Sequence, residues 1–250
     1  MELFKLTGYL DKYLRISEIS DSSQNGLQVE KQGSVKSIGL AVDASESTFK
    51  LALQKNVDMI IVHHGLFWGH PFLITELNYK RISLLVKNNI GLYASHLPLD
   101  MHPKVGNNAQ IAKKLNLKKV KEFGEYHGNY IGMIGDLGRS LSFNDFLKQL
   151  KVLFKSDFIP YHFGKKTIKK VGIVSGGGAS MLKDAVDYKA DVFITGEISH
   201  GNYHSILEYK INLITGGHYF TETFGVKALG EHLKEKFGIR IEFLDFPTGL

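Results

Sequence analysis

Leucines at positions 3, 6, 10 and 14, with Tyr13 beside them, fall on one side of a 3.6-residue repeat and predict an amphipathic helix over Glu2–Leu14. A polar loop, Ser17–Gly26, follows. The pattern then changes to short apolar runs alternating with helical periods. Val35–Val42 predicts a strand, Ser47–Gln54 a helix, and Val57–Val62 a buried strand that ends at His63–His64. A helix near Tyr79–Lys87 leads to a strand at Gly91–Ser95, which ends at His96. Next come a helix near Asn108–Leu115, a turn-rich stretch at Gly124–Gly138, a helix at Ser142–Phe154 and a strand near Phe158–Phe163. The alternation then returns: strands at Lys170–Ser175, Asp191–Thr195 and Asn212–Thr215, with helices near Met181–Tyr188 and Tyr203–Glu208 between them. A long helix from His218 to Lys236 and a strand at Ile239–Phe243 close the chain. Strands alternating with helices predict an α/β fold on a largely parallel sheet covered on both faces.

The return is a repeat. Sliding the chain by 133 positions places Lys36 on Lys169, Gly39 on Gly172, Ser47 on Ser180, Lys50 on Lys183, Ala52 on Ala185, Asp58 on Asp191 and Ile61 on Ile194. Sliding by 122 places His96 on His218 and Asp100 on Glu222. The change of offset corresponds to extra residues around Phe67–Leu77 in the first copy. The first helix likewise resembles Ser142–Phe154. The expectation is an internally duplicated set of βαβ units in three α/β/α layers, as two intertwined similar halves. Their bounds are 1–122 and 123–250, with a turn-rich connection at 123–140.

Composition narrows the chemistry. Of 250 residues, 43% are hydrophobic and 22% charged, which suits a packed globular chain and excludes disorder, collagen and coiled coil. The longest apolar runs are far shorter than the roughly 18 residues of a membrane span, and Met1–Leu10 has no signal-peptide pattern, so a cytoplasmic location is expected. There is no cysteine, which removes disulfides, thiolate metal sites and Cys nucleophiles. A formal charge of +6 suits anionic small substrates or weak nucleic-acid contact. No nucleic-acid-binding motif accompanies it, and no GxSxG serine-hydrolase motif is present.

The eleven histidines say more. In open α/β sheets ligands bind beyond the carboxyl ends of strands. There the sequence puts His63 and His64, His96 and Asp100, Glu197 with His200 nearby, and, after Gly216–Gly217, His218 and Glu222. His218 and Glu222, four residues apart at a helix start, share one face and can chelate one centre. These donors are too many for one tetrahedral ion and suit two, bridged by a carboxylate, in an arrangement that activates water for hydrolysis. Imidazole and carboxylate without thiolate suit Zn, Mn, Fe, Co or Ni alike. Because side chains alternate along a strand, adjacent His63 and His64 reach one site only if the strand end is irregular. His70, His102, His127, His162, His204 and His232 are expected to be ordinary hydrogen-bonded histidines. Ser175–Ser180 (SGGGAS), between a strand and a helix, could cradle phosphate on free N–H groups or form a tight turn. Trp68, after the His-His-Gly turn, could line a pocket and stack on a base.

Seven motifs in order along the chain carry a resemblance. They are Asp21-Ser-Ser-Gln-Asn-Gly-Leu-Gln28, Ala41-Val-Asp-Ala-Ser45, Val62-His-His-Gly-Leu-Phe-Trp68, Ser95-His-Leu-Pro-Leu-Asp100 with Gly106-Asn-Asn108, Ser175-Gly-Gly-Gly-Ala179, Thr195-Gly-Glu197 with His200, and Gly217-His-Tyr-Phe-Thr-Glu222. Together they resemble the GTP cyclohydrolase I type 2 family, also called the Nif-three-like family. The resemblance implies a duplicated α/β fold, a dinuclear divalent-metal centre and a toroidal homohexamer. It implies His63, His64, Asp100, His218 and Glu222 as metal ligands, with Glu222 bridging, and leaves His96 and Glu197 as neighbouring acid–base residues. The implied activity is hydrolytic opening of the guanine ring of GTP, giving dihydroneopterin triphosphate and formate. The leaving nitrogen would take its proton from Glu197 or His96, and basic residues or Gly176, Gly177 and Gly178 would hold the triphosphate. The other expectation for the same family is a metal carrier or adaptor without turnover. A nucleic-acid-threading ring is a third, for which the sequence offers no motif.

Overall fold

The computed structural model describes residues 1–154 and 157–250. In chain order the elements are α1 (Leu3–Leu14), β1 (Gly26–Val29), β2 (Ser37–Asp43), α2 (Glu46–Gln54), β3 (Met59–His64), α3 (Glu76–Lys87), β4 (Gly91–Ala94), α4 (Leu97–Asp100), α5 (Asn107–Lys114), β5 (Lys118–Tyr126), β6 (Asn129–Ser142), α6 (Phe143–Phe154), β7 (Ile159–His162), β8 (Thr167–Val174), α7 (Leu182–Asp187), β9 (Val192–Thr195), α8 (Asn202–Glu208), β10 (Asn212–Thr215), α9 (His218–Phe237) and β11 (Arg240–Phe243). They form two compact units, residues 1–105 with 225–246 and residues 106–224 with 247–250.

In the first unit the sheet order is β1-β4-β3-β2-β11. Strands β11, β2, β3 and β4 run parallel, and β1 pairs antiparallel with β4. Alternation along the strands explains the layers. Ile38, Leu40, Met59 and Ile61 face α1 and the later turns of α9, burying Leu3, Leu6, Leu10 and Leu14 against Val226, Leu229 and Leu233. Ala41, Ile60, Val62, Leu92 and Ala94 face the other way, onto Phe49 and Ala52 of α2 and Leu85 of α3. Each buried leucine of α1 contributes about 1.5–3 kcal/mol relative to exposure. Helix α1 stops where Arg15 turns left-handed at φ 57°, and α2 starts where the Ser45 hydroxyl accepts from the Thr48 N–H at 3.1 Å.

In the second unit the order is β5-β6-β8-β9-β10-β7, with β8, β9 and β10 parallel and the flanking strands antiparallel. One face carries α5 and α6 through Ile111, Phe143, Phe146 and Leu150. The other carries α7 and α8 through Leu182, Ala185 and Ile206. Each unit is therefore three α/β/α layers.

The duplication is visible in the ladders. Ile38 pairs with Met59 in the first unit, and Val171 with Val192 in the second, each 133 residues on. Asp58 accepts from the N–H groups of Lys36 and Ser37, and Asp191 from those of Lys169 and Lys170, the equivalent positions. The left-handed residue after α2, Asn56 (φ 49°), corresponds to Lys189 (φ 59°) after α7.

Four expectations change. Each unit has its own mixed sheet, whose parallel strands are flanked by antiparallel ones, where a largely parallel sheet was expected. The stretch Gly124–Gly138 is the β5–β6 hairpin, because its glycines serve close packing as well as turning: a Cβ on Gly132 would lie 2.7 Å from Phe123 and 2.6 Å from Val174. Strand β1 starts at Gly26, the last residue of the expected loop, and runs through residues for which no element was expected. The division at 105/106 also differs from 122/123, because α5 lays Ile111, Ala112 and Leu115 into the second core, while β11 and much of α9 complete the first.

Candidate metal centre

In the first unit β3 ends in His63 and His64, and β4 leads through Ser95 to His96 and the short helix that ends at Asp100. The tandem imidazoles do meet. Their ring centroids lie 4.8 Å apart, and His96 lies 5.1 Å from His63 and 5.6 Å from His64. Each ring is drawn by a different acceptor. His63 Nδ1–H donates to the Ser95 carbonyl at 3.0 Å, beyond β4 on one side of β3. His64 Nδ1–H donates to Asp43 Oδ1 at 2.8 Å, at the end of β2 on the other side. His96 Nδ1–H donates to the Asp21 carboxylate at 3.0–3.1 Å. An oxygen acceptor on Nδ1 leaves the lone pair on Nε2 in all three rings, the tautomer in which a histidine binds metal. One ligand atom from each of the three lies within 4.8 Å of the others. Asp100 is buried, with Oδ2 3.4 Å from His63 Nε2.

Asp21 is the hub behind His96. Its oxygens also accept from the backbone N–H of Ser23 and Leu97 and from Asn25 Nδ2. Burial would raise its pKa, but hydrogen bonding to His96, the imidazole's charge and the other donors prevail and hold the carboxyl down to about 2. Trp68 is pinned by its Nε1–H on the Gly65 carbonyl at 3.1 Å and stands T-shaped against His96 at 5.1 Å.

In the second unit α9 begins at His218, directly after β10 and two glycines, and Glu222 follows one turn on. His218 Nε2 lies 3.2 Å from Glu222 Oε1, and its Nδ1 lies 3.1 Å from Glu197 Oε1. The hydrogen bond that His218 donates to Glu222, followed by the charge of Glu222 and the hydrogen bond to and charge of Glu197, outweighs burial and raises the His218 pKa to about 9. The imidazolium is thus clamped between two carboxylates.

The glycine turn after β8 belongs to this cluster. Gly176 has φ +61°, and a Cβ there would collide with the Glu222 carboxylate. Its N–H donates to Thr221 Oγ1 at 3.0 Å, and its carbonyl accepts from the N–H of Gly196 and Glu197. The turn therefore ties the ends of β8 and β9 to the first turn of α9. Gly177 sits 3.9 Å from both Glu197 and His218, measured from where a Cβ would be, and Gly178 packs against Val174. His200 is exposed.

Among the described residues, His63, His64 and His96 of the first unit could hold a metal ion, and the second unit sets His218 between Glu222 and Glu197. The donors are imidazole nitrogens and carboxylate oxygens, which suit a borderline divalent ion, and the imidazoles of His63, His64 and His96 are preset in the binding tautomer. The family model for Duf34/NIF3 (NGG1p interacting factor 3) matches residues 1–248. The chain belongs to the Duf34/NIF3 family. A relative from Pyrococcus horikoshii is 45% identical over 251 residues, covering all of both chains. One from Deinococcus radiodurans is 41% identical over 246 residues, covering 98% of this chain and 94% of its own. Both carry the name GTP cyclohydrolase 1 type 2 homolog. Among solved structures, a protein from Thermus thermophilus superposes with a TM-score of 0.92 at 41% identity, covering all of both chains. Reduced HcgD from Methanocaldococcus jannaschii superposes with a TM-score of 0.86 at 29% identity over 98% of each.

Within this Duf34/NIF3 chain, reasoning from ligand types found the imidazoles and carboxylates but missed their supports. Asp21, Asn25, Asp43 and Thr221 all lie inside the family motifs, which was their one signal in the sequence. Among the described residues no helix is long and apolar enough to cross a membrane.

Proposed function

We propose that this chain is a metal-dependent hydrolase that holds two divalent ions through His63, His64, Asp100, His218 and Glu222 and opens the guanine ring of GTP. The observation that carries the metal reading is the set of three imidazoles with Nδ1 committed to Ser95, Asp43 and Asp21. The names of the relatives support the substrate. When bound, such ions supply Lewis acidity and lower the pKa of water.

The chain's own part is positional. Asp43 and Ser95 fix the rings of His64 and His63, while Gly176 and Thr221 hold the first turn of α9 against the glycine turn. His96, backed by Asp21, and Glu197, exposed beside His218, are the groups that hand a proton to the departing nitrogen. Gly177 and Gly178 contact the triphosphate. The working particle is a ring of six chains, which light scattering checks against the 28.0 kDa monomer.

The test is metal-loaded protein with GTP, followed by pterin fluorescence, beside His64→Ala. Turnover that vanishes with His64 is expected. Tight, exchangeable metal with no turnover of any nucleotide would overturn the hydrolase and favour a metal carrier.

A further inference from the structure

The sheet of the second unit carries a recess at the end away from its ligand-bearing turns. Lys121 of β5 pairs with Ile134 of β6, and Asp136 of β6 pairs with Lys170 of β8. Because side chains alternate, residues 134 and 136 share one face with Lys121 and Lys170. That face packs under α7 at Ile134, but α7 ends at Asp187 with Tyr188 as its C-cap. Past the helix end, Lys119, Lys121, Lys170, Asp136 and Tyr188 line an open cavity of about 270 Å³ over Ile134.

The edge strand is bent at this place. The β5–β6 register shifts between Lys118 and Lys121, and Lys119 takes φ 52°, a left-handed conformation costly for a residue with a Cβ. Such bulges re-aim side chains, and here Lys119 lines the same recess as Lys121 and Lys170. Among the described residues none of the three ammonium groups pairs with a carboxylate, and the half-buried Asp136 is the one acid facing them.

We propose that this recess binds an oligophosphate anion, a run of two or three phosphates, free or as the arm of a nucleotide. Three ammonium groups from two strands can share several phosphate oxygens, which a single ammonium cannot. The Tyr188 ring offers an apolar wall for a sugar or base. The site is distinct from the glycine turn: Lys170 and Gly176 are six residues apart on and just past β8, about 20 Å at strand rise. The proposal does not depend on how the metal ligands are used.

The experiment is calorimetric titration of the metal-loaded chain with inorganic tripolyphosphate, GTP and ATP at two salt concentrations. The variants are K119Q/K121Q/K170Q and a control of equal charge change, K5Q/K87Q/K234Q. The recess variant keeps every metal ligand, so tripolyphosphate held at metal stays bound in it. Expected is salt-sensitive binding that weakens about tenfold or more in the recess variant alone. Equal affinity for all three probes would mark the phosphate run itself as the ligand. Tighter GTP or ATP, levelled by Tyr188→Ala, would mark a nucleotide arm. No binding, equal loss in the control, or an unaffected recess variant would each overturn the proposal.

Discussion

Asp43 and Asp21 decide which nitrogen of His64 and His96 carries the proton, so their removal acts on metal affinity before it acts on chemistry. Asp43→Ala is expected to weaken divalent-metal binding by about 10- to 100-fold, read by competition with a chelating dye. Asp21 also sets the acid limit of the fold. Its carboxyl drops from 3.8 unfolded to about 2 folded, so its contribution is present above about pH 3.8 and is lost as pH falls through 2. That contribution is on the order of 2 kcal/mol, and Asp21→Asn should remove it, with a flatter acid limb in denaturation scans. His218 behaves in the opposite sense. Its pKa is raised to about 9, so in the metal-free chain the clamp stabilises below about pH 6.5 and is lost as pH rises through 9. A metal must displace that proton, so apparent affinity should climb with pH up to about 9. Titrations at pH 7 in buffers of different ionisation enthalpy should show proton release, and Glu197→Gln, which removes a carboxylate that raises the His218 pKa without removing a proposed ligand, should reduce it.

At the scale of elements, the repeated contacts make repeated predictions. Asp191→Ala strips acceptors from the N–H groups of Lys169 and Lys170 and should cost about 1–3 kcal/mol in urea unfolding, as should Asp58→Ala in the other copy. Gly176→Ala forces the glycine turn and Glu222 apart and should lower both stability and metal content. The parallel strands and their helices were legible because each is an apolar run of four to seven residues bounded by a polar or glycine signal. The β5–β6 hairpin was not, because Gly124, Gly128, Gly132, Gly135 and Gly138 look like turn residues, and only the packed Phe123 and Val174 explain Gly132. Strand β1 was hidden for a related reason: four residues after a polar loop carry too little periodicity to mark an edge strand. Among the site residues, His63, His64, His96 and Asp100 could be found by their place at strand ends. Asp21 could not, since nothing local in a polar loop says that its carboxylate will meet an imidazole 75 residues away.

At the scale of the whole molecule, the chain passes from the first unit to the second at residue 105, back at 224, and out again at 246. Sequence halves cut at 122 cannot see this, because α9 supplies about its first two turns to one unit and its remaining turns to the other. The same duplication gives each unit its own strand-end imidazoles and carboxylates, the proposed ligands His63, His64 and Asp100 in one and His218 and Glu222 in the other. The proposed centre therefore stands or falls on metal content. The direct measurement is the divalent-metal stoichiometry of the purified chain by plasma mass spectrometry, for the wild type and for His63→Ala and Glu222→Ala. Two ions per wild-type chain, lost in both folded variants, is the predicted result; a chain that retains no divalent ion, or whose content neither substitution alters, would contradict it.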